Sequence, residues 1–141
     1  MSVLAPSGVG LPAPDCLVTP QGASTPVPLS TLLPHTCVYL VLLPSVFGCE
    51  ALLTLLANCT GELRLITADS SAALAAATLP AGLAIYTDPT LSFARLYGIS
   101  CAPQGCHPAL FRVEKGWLSQ SYISDVVELS VWRALLAPHS A

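Results

Sequence analysis

Residues 37–59 read CVYLVLLPSVFGCEALLTLLANC. Val38–Leu43 is an unbroken apolar run with β-branched members, closed by Pro44, the pattern of a strand buried on both faces. Glu50–Cys59 is rich in strong helix formers and stops before Thr60-Gly61, which predicts a helix. Between them lies a five-residue loop, Ser45-Val46-Phe47-Gly48-Cys49, with its cysteine at the start of the helix. The same stretch is the nearest approach in the chain to a membrane span. Pro44 and Gly48 interrupt it, and Glu50 would sit near the bilayer centre at a cost of about 3 kcal/mol. A buried strand followed by a buried helix is the better reading, with no membrane partner.

Downstream the alternation repeats. Leu63–Thr67 predicts a second strand, Asp69 or Ser70 caps an Ala-rich helix reaching to Pro80, and Leu83–Tyr86 predicts a third strand. Asp88-Pro89 supplies a cap and a first-turn proline for a helix that Gly98 ends, with Arg95 placed to serve its C-terminal end or to pair with Asp88. Pro108–Val113 and Trp117–Tyr122 flank Glu114-Lys115-Gly116 as a β-hairpin. Ser124 caps a last helix with apolar residues at 127, 131, 134 and 135. Upstream, residues 1–36 hold seven of the thirteen prolines and read as an extended lead-in. Short strands are expected there at Cys16–Thr19 and Pro26–Leu29, around a Gln21-Gly22 turn. Strand–helix–strand units require parallel pairs and the hairpin requires an antiparallel one. The expectation is one α/β domain over 1–141: a mixed central sheet with helices on both faces.

Composition narrows the function. The 141 residues are 53% hydrophobic and 9% charged, with a formal net charge of −3. A mean hydropathy of +0.68 is the opposite of the disordered signature. One lysine and four scattered arginines make no basic stripe, so nucleic acid is not an expected partner. A surface this poor in charge leaves apolar area for burial between copies, which allows a homo-oligomer. Met1–Gly8 has neither a basic segment nor a sustained apolar one, so it does not read as a secretory signal. Six cysteines without such a signal are read as cytoplasmic thiols rather than a disulfide framework.

Four further segments, in order, resemble the redoxins of the thioredoxin fold, peroxiredoxins above all. Val9-Gly10-Leu11-Pro12-Ala13-Pro14-Asp15 with Val27-Pro28-Leu29-Ser30 is similar to the lead-in of that family. Val38–Phe47 is similar to the strand that delivers its active-site loop. Thr87-Asp88-Pro89-Thr90 with Ala94-Arg95-Leu96-Tyr97-Gly98-Ile99 is similar to its SDPxxxxARxYGV segment, and Pro108–Gly116 to its late hairpin. Phe47-Gly48-Cys49 resembles the peroxiredoxin-like branch with FGC in the loop. The resemblance implies a thioredoxin-like three-layer sandwich and a peroxiredoxin-like thiol–disulfide oxidoreductase, an antioxidant. Its substrate would be a peroxide or disulfide and its reductant a thiol or thioredoxin-like donor, with no cofactor. The chain departs from the family at three points. The PxxxTxxC spacing and its threonine are absent, Pro108 stands where peroxiredoxins carry an arginine, and no CxxC motif surrounds Cys49.

Cys49 is the candidate catalytic thiol. Orphan amides and the dipole of the following helix favour a thiolate, Gly48 lets the backbone turn closely, and the adjacent Glu50 opposes ionisation. A buried structural cysteine is the competing reading. Exchange needs a second sulfur. Cys101 and Cys106, in SCAPQGCHP, precede the Pro108 strand; the resemblance puts that segment beside the active-site helix, so either is a candidate resolving thiol, Cys106 preferred. The alternatives are a Cys101–Cys106 bridge or two unpaired thiols. By the same resemblance His107-Pro108 is a cis pair that presents the His107 backbone to substrate. The His107 ring is a candidate thiolate stabiliser or proton donor, with a partly exposed loop histidine as the competing reading. Cys101, Cys106 and His107 lack the second pair a zinc site needs, so no metal is expected. Cys16, Cys37 and Cys59 read as packing residues. The departures support a second function class: a catalytically inactive thioredoxin-fold protein serving as a binding or assembly module.

Overall fold

The computed structural model describes residues 12–33, 36–59, 61–99, 101–102, 105–124 and 127–136, with backbone alone at 101–102 and 105–106. In chain order the elements are β1 (Leu17–Pro20), β2 (Val27–Pro28), a 3-10 turn (Leu29–Leu32), β3 (Cys37–Leu43), α1 (Glu50–Ala57), β4 (Leu63–Thr67), α2 (Ser71–Ala75), β5 (Ile85–Thr87), α3 (Ser92–Leu96), β6 (Cys101–Ala102), β7 (Gly105–Cys106), β8 (Ala109–Glu114), β9 (Trp117–Ile123) and α4 (Leu129–Leu136). The strands order as β2-β1-β5-β4-β3-β8-β9 in one sheet, and β6 and β7 form a separate two-stranded ribbon. β3, β4 and β5 run parallel, whereas β8 is antiparallel to β3 and to β9. The mixed sheet expected from the alternation of elements is present.

β3 occupies the centre because its sequence suits burial on both sides. Val38, Leu40 and Leu42 pack with Leu29, Phe93, Tyr97, Phe111 and Val113 on one face. Tyr39, Val41 and Leu43 pack with Leu52, Leu53, Leu56, Leu74, Trp132 and Leu136 on the other. The period-2 alternation of a strand therefore divides one apolar run between two cores. α1, α2 and α4 cover one face; α3 and the lead-in cover the other, giving three layers. On the α3 face Phe93 stacks on Tyr97 with ring centroids 4.1 Å apart, and the Tyr97 hydroxyl donates to the Pro14 carbonyl at 2.8 Å, pinning the lead-in.

Several helix boundaries differ from the sequence expectation. α2 stops at Ala75 rather than running to Pro80, because only Leu74 of its five residues is buried. The Ala76 and Ala77 amides already reach back three residues, to Ala73 and Leu74, tightening the turn before Pro80 excludes helix. Ser70, not Asp69, is its cap, accepting from the Ala73 amide at 3.1 Å. α3 begins at Ser92 rather than beside Pro89. The Leu91 amide bonds the Asp88 carbonyl, so residues 88–91 form a turn, and the Asp88 carboxylate reaches on to the Phe93 amide at 2.7 Å. Arg95 donates to the Thr90 carbonyl at 2.6 Å rather than pairing with Asp88. Gly98 ends α3 as expected: φ is +74°, Gly98 N bonds Arg95 O, and Ile99 N bonds Ala94 O.

The Ser124 amide donates to the Pro108 carbonyl at 3.2 Å. α4 starts at Leu129, five residues beyond Ser124, so Ser124 is not its cap. Trp132 and Leu136 are buried, Val127, Val131 and Leu135 of the expected stripe pack against the same core, and Ala134 is exposed. The β8–β9 turn narrows to Lys115-Gly116, both at positive φ, the conformation that two-residue hairpins require.

Candidate functional site

β3 and β4 pair in parallel up to Leu43 opposite Thr67, so the 44–49 loop and residues 68–70 leave the same end of the sheet. This is the carboxyl edge of the parallel strands, where open α/β sheets build sites. Asp69 ties the two together. Its Oδ1 accepts from Ser45 Oγ at 3.0 Å, and its Oδ2 accepts from the Val46 amide at 2.8 Å and from Thr67 Oγ1 at 3.0 Å. Val46 is buried, so its amide has no access to water and depends on that carboxylate. Sequence reading offered Asp69 only as a helix cap. The available signal was an acidic residue just past the end of a strand parallel and adjacent to the loop-bearing one.

Gly48 follows with φ of +79°, and nothing lies within 4 Å of an added Cβ, so its constraint is conformational. Cys49 then occupies the N-cap position of α1, half-buried and unbridged. Its side chain makes no capping bond to the helix amides; Sγ instead donates to the Ser45 carbonyl, 3.6 Å away. A donated S–H stabilises the protonated form. Burial first, then the Glu50 and Asp69 carboxylates, push the Cys49 thiol above its ordinary 9.0. The lowered pKa expected at a helix start is therefore reversed. The dipole loses because the sulfur is turned toward a carbonyl and Glu50 occupies the first turn.

Beside the thiol is a cavity of about 200 Å³ lined by Gly48, Cys49, Ala51, Leu52, Val127 and Leu129. Its carbon-rich walls would accept an apolar group next to the sulfur. The segment just before α4 thus contributes to the site, which the helix pattern alone did not indicate.

The other candidates enter from β8. Ala109 pairs with Leu42, so the backbone before β8 emerges at the same sheet end as the 44–49 loop. Cys101 and Cys106 are direct cross-strand partners in the β6–β7 ribbon; their side chains lie outside the described residues. His107 and Pro108 are half-buried between ribbon and sheet. No peptide bond among the described residues is cis. The expected cis His107–Pro108 bond is trans, the form an X–Pro bond favours by about 0.5–1 kcal/mol unless its surroundings impose the other. Among the described residues no three His, Cys, Asp or Glu side chains converge as metal ligands, and no helix is long and apolar enough to cross a membrane.

No family model matches the sequence, and no curated protein matches it. Solved structures do resemble the fold. The reduced 2-Cys peroxiredoxin of Plasmodium vivax is similar with a TM-score of 0.72 at 16% identity, over 92% of this chain and 94% of that one. A thiol peroxidase from Chromobacterium violaceum gives 0.65 at 20% identity, over 91% and 85%. Peroxiredoxin Q from Xanthomonas campestris gives 0.61 at 16% identity, over 86% and 87%. The chain has the thioredoxin-like α/β fold found in peroxiredoxins, and at these identities the likeness speaks of fold alone.

Proposed function

We propose that the chain is a peroxiredoxin-like thiol–disulfide oxidoreductase whose reacting group is Cys49. The observation that carries the reading is the free, half-buried Cys49 at the first turn of α1, beside an apolar cavity at the carboxyl edge of the sheet. Cys49 sulfur attacks one sulfur of a disulfide, the S–S bond breaks, and the other half leaves as a thiol bearing the proton Cys49 gave up. With a peroxide the same sulfur takes one oxygen and becomes a sulfenic acid as the O–O bond breaks and an alcohol or water leaves. A second thiol, Cys106 or Cys101, then attacks Cys49 and releases the product. Gly48, His107 and Pro108 would shape the approach of substrate, and a thiol reductant or thioredoxin-like donor would restore the pair. Unbridged Cys16, Cys37, Cys49 and Cys59 suit a reducing cytoplasm.

The turnover is slow at neutral pH. Burial and the Glu50 and Asp69 carboxylates push the Cys49 thiol up and disfavour its thiolate at neutral pH. That same observation favours a second reading, an inactive binding module whose exposed Leu17, Phe47, Leu96 and Trp117 meet a partner. Reduction of hydrogen peroxide by the full chain, compared with Cys49→Ser at pH 8.5, separates the two. The oxidoreductase reading expects turnover that the variant lacks. Equal rates in both proteins overturn it and leave the binding module.

A further inference from the structure

The opposite end of β3 carries a second thiol with different neighbours. Cys37 opens the strand, half-buried and unbridged. In the antiparallel register Cys37 faces Glu114 and Tyr39 faces Arg112, so Arg112 stands diagonally from Cys37 on one face of the sheet. Its Nε donates to Cys37 Sγ at 3.2 Å, while Nη2 pairs with Glu114 Oε1 at 2.7 Å. The guanidinium is thus divided: one edge on sulfur, the other on carboxylate. The Arg112 and Glu114 side chains are 21% and 44% exposed, so the cluster reaches solvent. A guanidinium N–H aimed at sulfur is the arrangement that stabilises a thiolate and leaves it nucleophilic. The sulfur contact also holds Arg112 more firmly protonated.

We infer that Cys37, Arg112 and Glu114 form a second thiol site, independent of Cys49, that takes up small disulfides by exchange. Arg112 Nε–H is directed at the Cys37 sulfur, which gives up its proton to solvent as it attacks. The sulfur attacks one sulfur of the disulfide, a mixed disulfide forms on Cys37, and the departing thiolate takes a proton from solvent. Arg112 is a positioning residue, acting through the sulfur. Glu114 restrains it by competing for the same cation. The expected packing role of Cys37 is replaced by this polar contact, which joins residues 75 positions apart in sequence and becomes visible only once the β3–β8 register is known.

The test is site-resolved mass spectrometry of the folded full chain after timed exposure to glutathione disulfide, and separately to iodoacetamide, at pH 7.5. Cys37 should be modified faster than Cys49 and faster than Cys59, a half-buried thiol packed on the same face. Arg112→Gln should slow Cys37 by about tenfold, the factor one charge-assisted hydrogen bond can supply. Glu114→Gln should speed it, a change that a structural role for the pair would not produce. Cys49→Ser should leave Cys37 labelling unchanged, which separates this inference from the proposed function. Cys37 modified no faster than Cys59, or Glu114→Gln failing to speed it, overturns the inference.

Discussion

The two ends of β3 put the same functional group in opposite surroundings. Across seven residues, roughly 20 Å of extended chain, Cys37 receives a guanidinium N–H, whereas Cys49 donates its S–H to a carbonyl near two carboxylates. The sulfur at the helix start therefore meets a carbonyl and carboxylates, and the sulfur at the far end of the strand meets a guanidinium. Location at a helix N-terminus does not by itself make a reactive thiol. The orientation of the sulfur and the sign of the nearest charges decide it.

The largest expected effect is at the Cys49 end. Asp69→Ala removes the acceptor for Ser45 Oγ, Thr67 Oγ1 and the buried Val46 amide. An unfolding midpoint in urea should report a loss of about 2–3 kcal/mol, the cost of an orphaned buried donor and its broken network. Cys49 labelling should rise as the loop loosens and the carboxylate disappears, with Cys37 labelling unaffected. Equal rises at both thiols would break the comparison, since they would report general unfolding.

A smaller effect sharpens it on the α3 face. Cys16 lies beside Asp15 and Asp88, and burial followed by these charges lifts it from 9.0 to about 11. Its folded value exceeds its unfolded one, so the stability it contributes is complete below pH 9 and is lost as pH rises toward 11. Replacing Cys16 with Ala should reduce the alkaline loss of stability by about 1–2 kcal/mol, after allowance for solvent screening. Thermal melts between pH 8 and 11 measure it; parallel curves for both proteins would refute it. Cys16 and Cys49 then follow one rule, burial near carboxylates.

Local pattern carried the fold well. β3 was legible because six consecutive apolar residues before Pro44 suit a strand with two buried faces, and the hairpin because Glu114-Lys115-Gly116 separates two strand-like runs, with Gly116 free to take positive φ. The lengths of α2 and α3 were not legible. They depend on which side chains find a core and on the Asp88 turn, and alanine-rich sequence is equally consistent with longer helices. Trp132 escaped notice as the centre of α4 because an eight-residue helix admits more than one apolar stripe. At the site, Gly48 and Cys49 were placed by their position after β3. Asp69 and Arg112 were missed as partners because their contacts are set by strand register rather than sequence spacing.

The most direct test of the account is the rate of Cys49 alkylation in the folded chain, resolved by mass spectrometry, from pH 6.5 to 9. A thiol pushed up by burial and two carboxylates predicts a rate that climbs about tenfold per pH unit through the neutral range, with no plateau below pH 8. A plateau reached below pH 8 would mean an ionised sulfur at neutral pH and would contradict the contrast drawn between the two ends of β3.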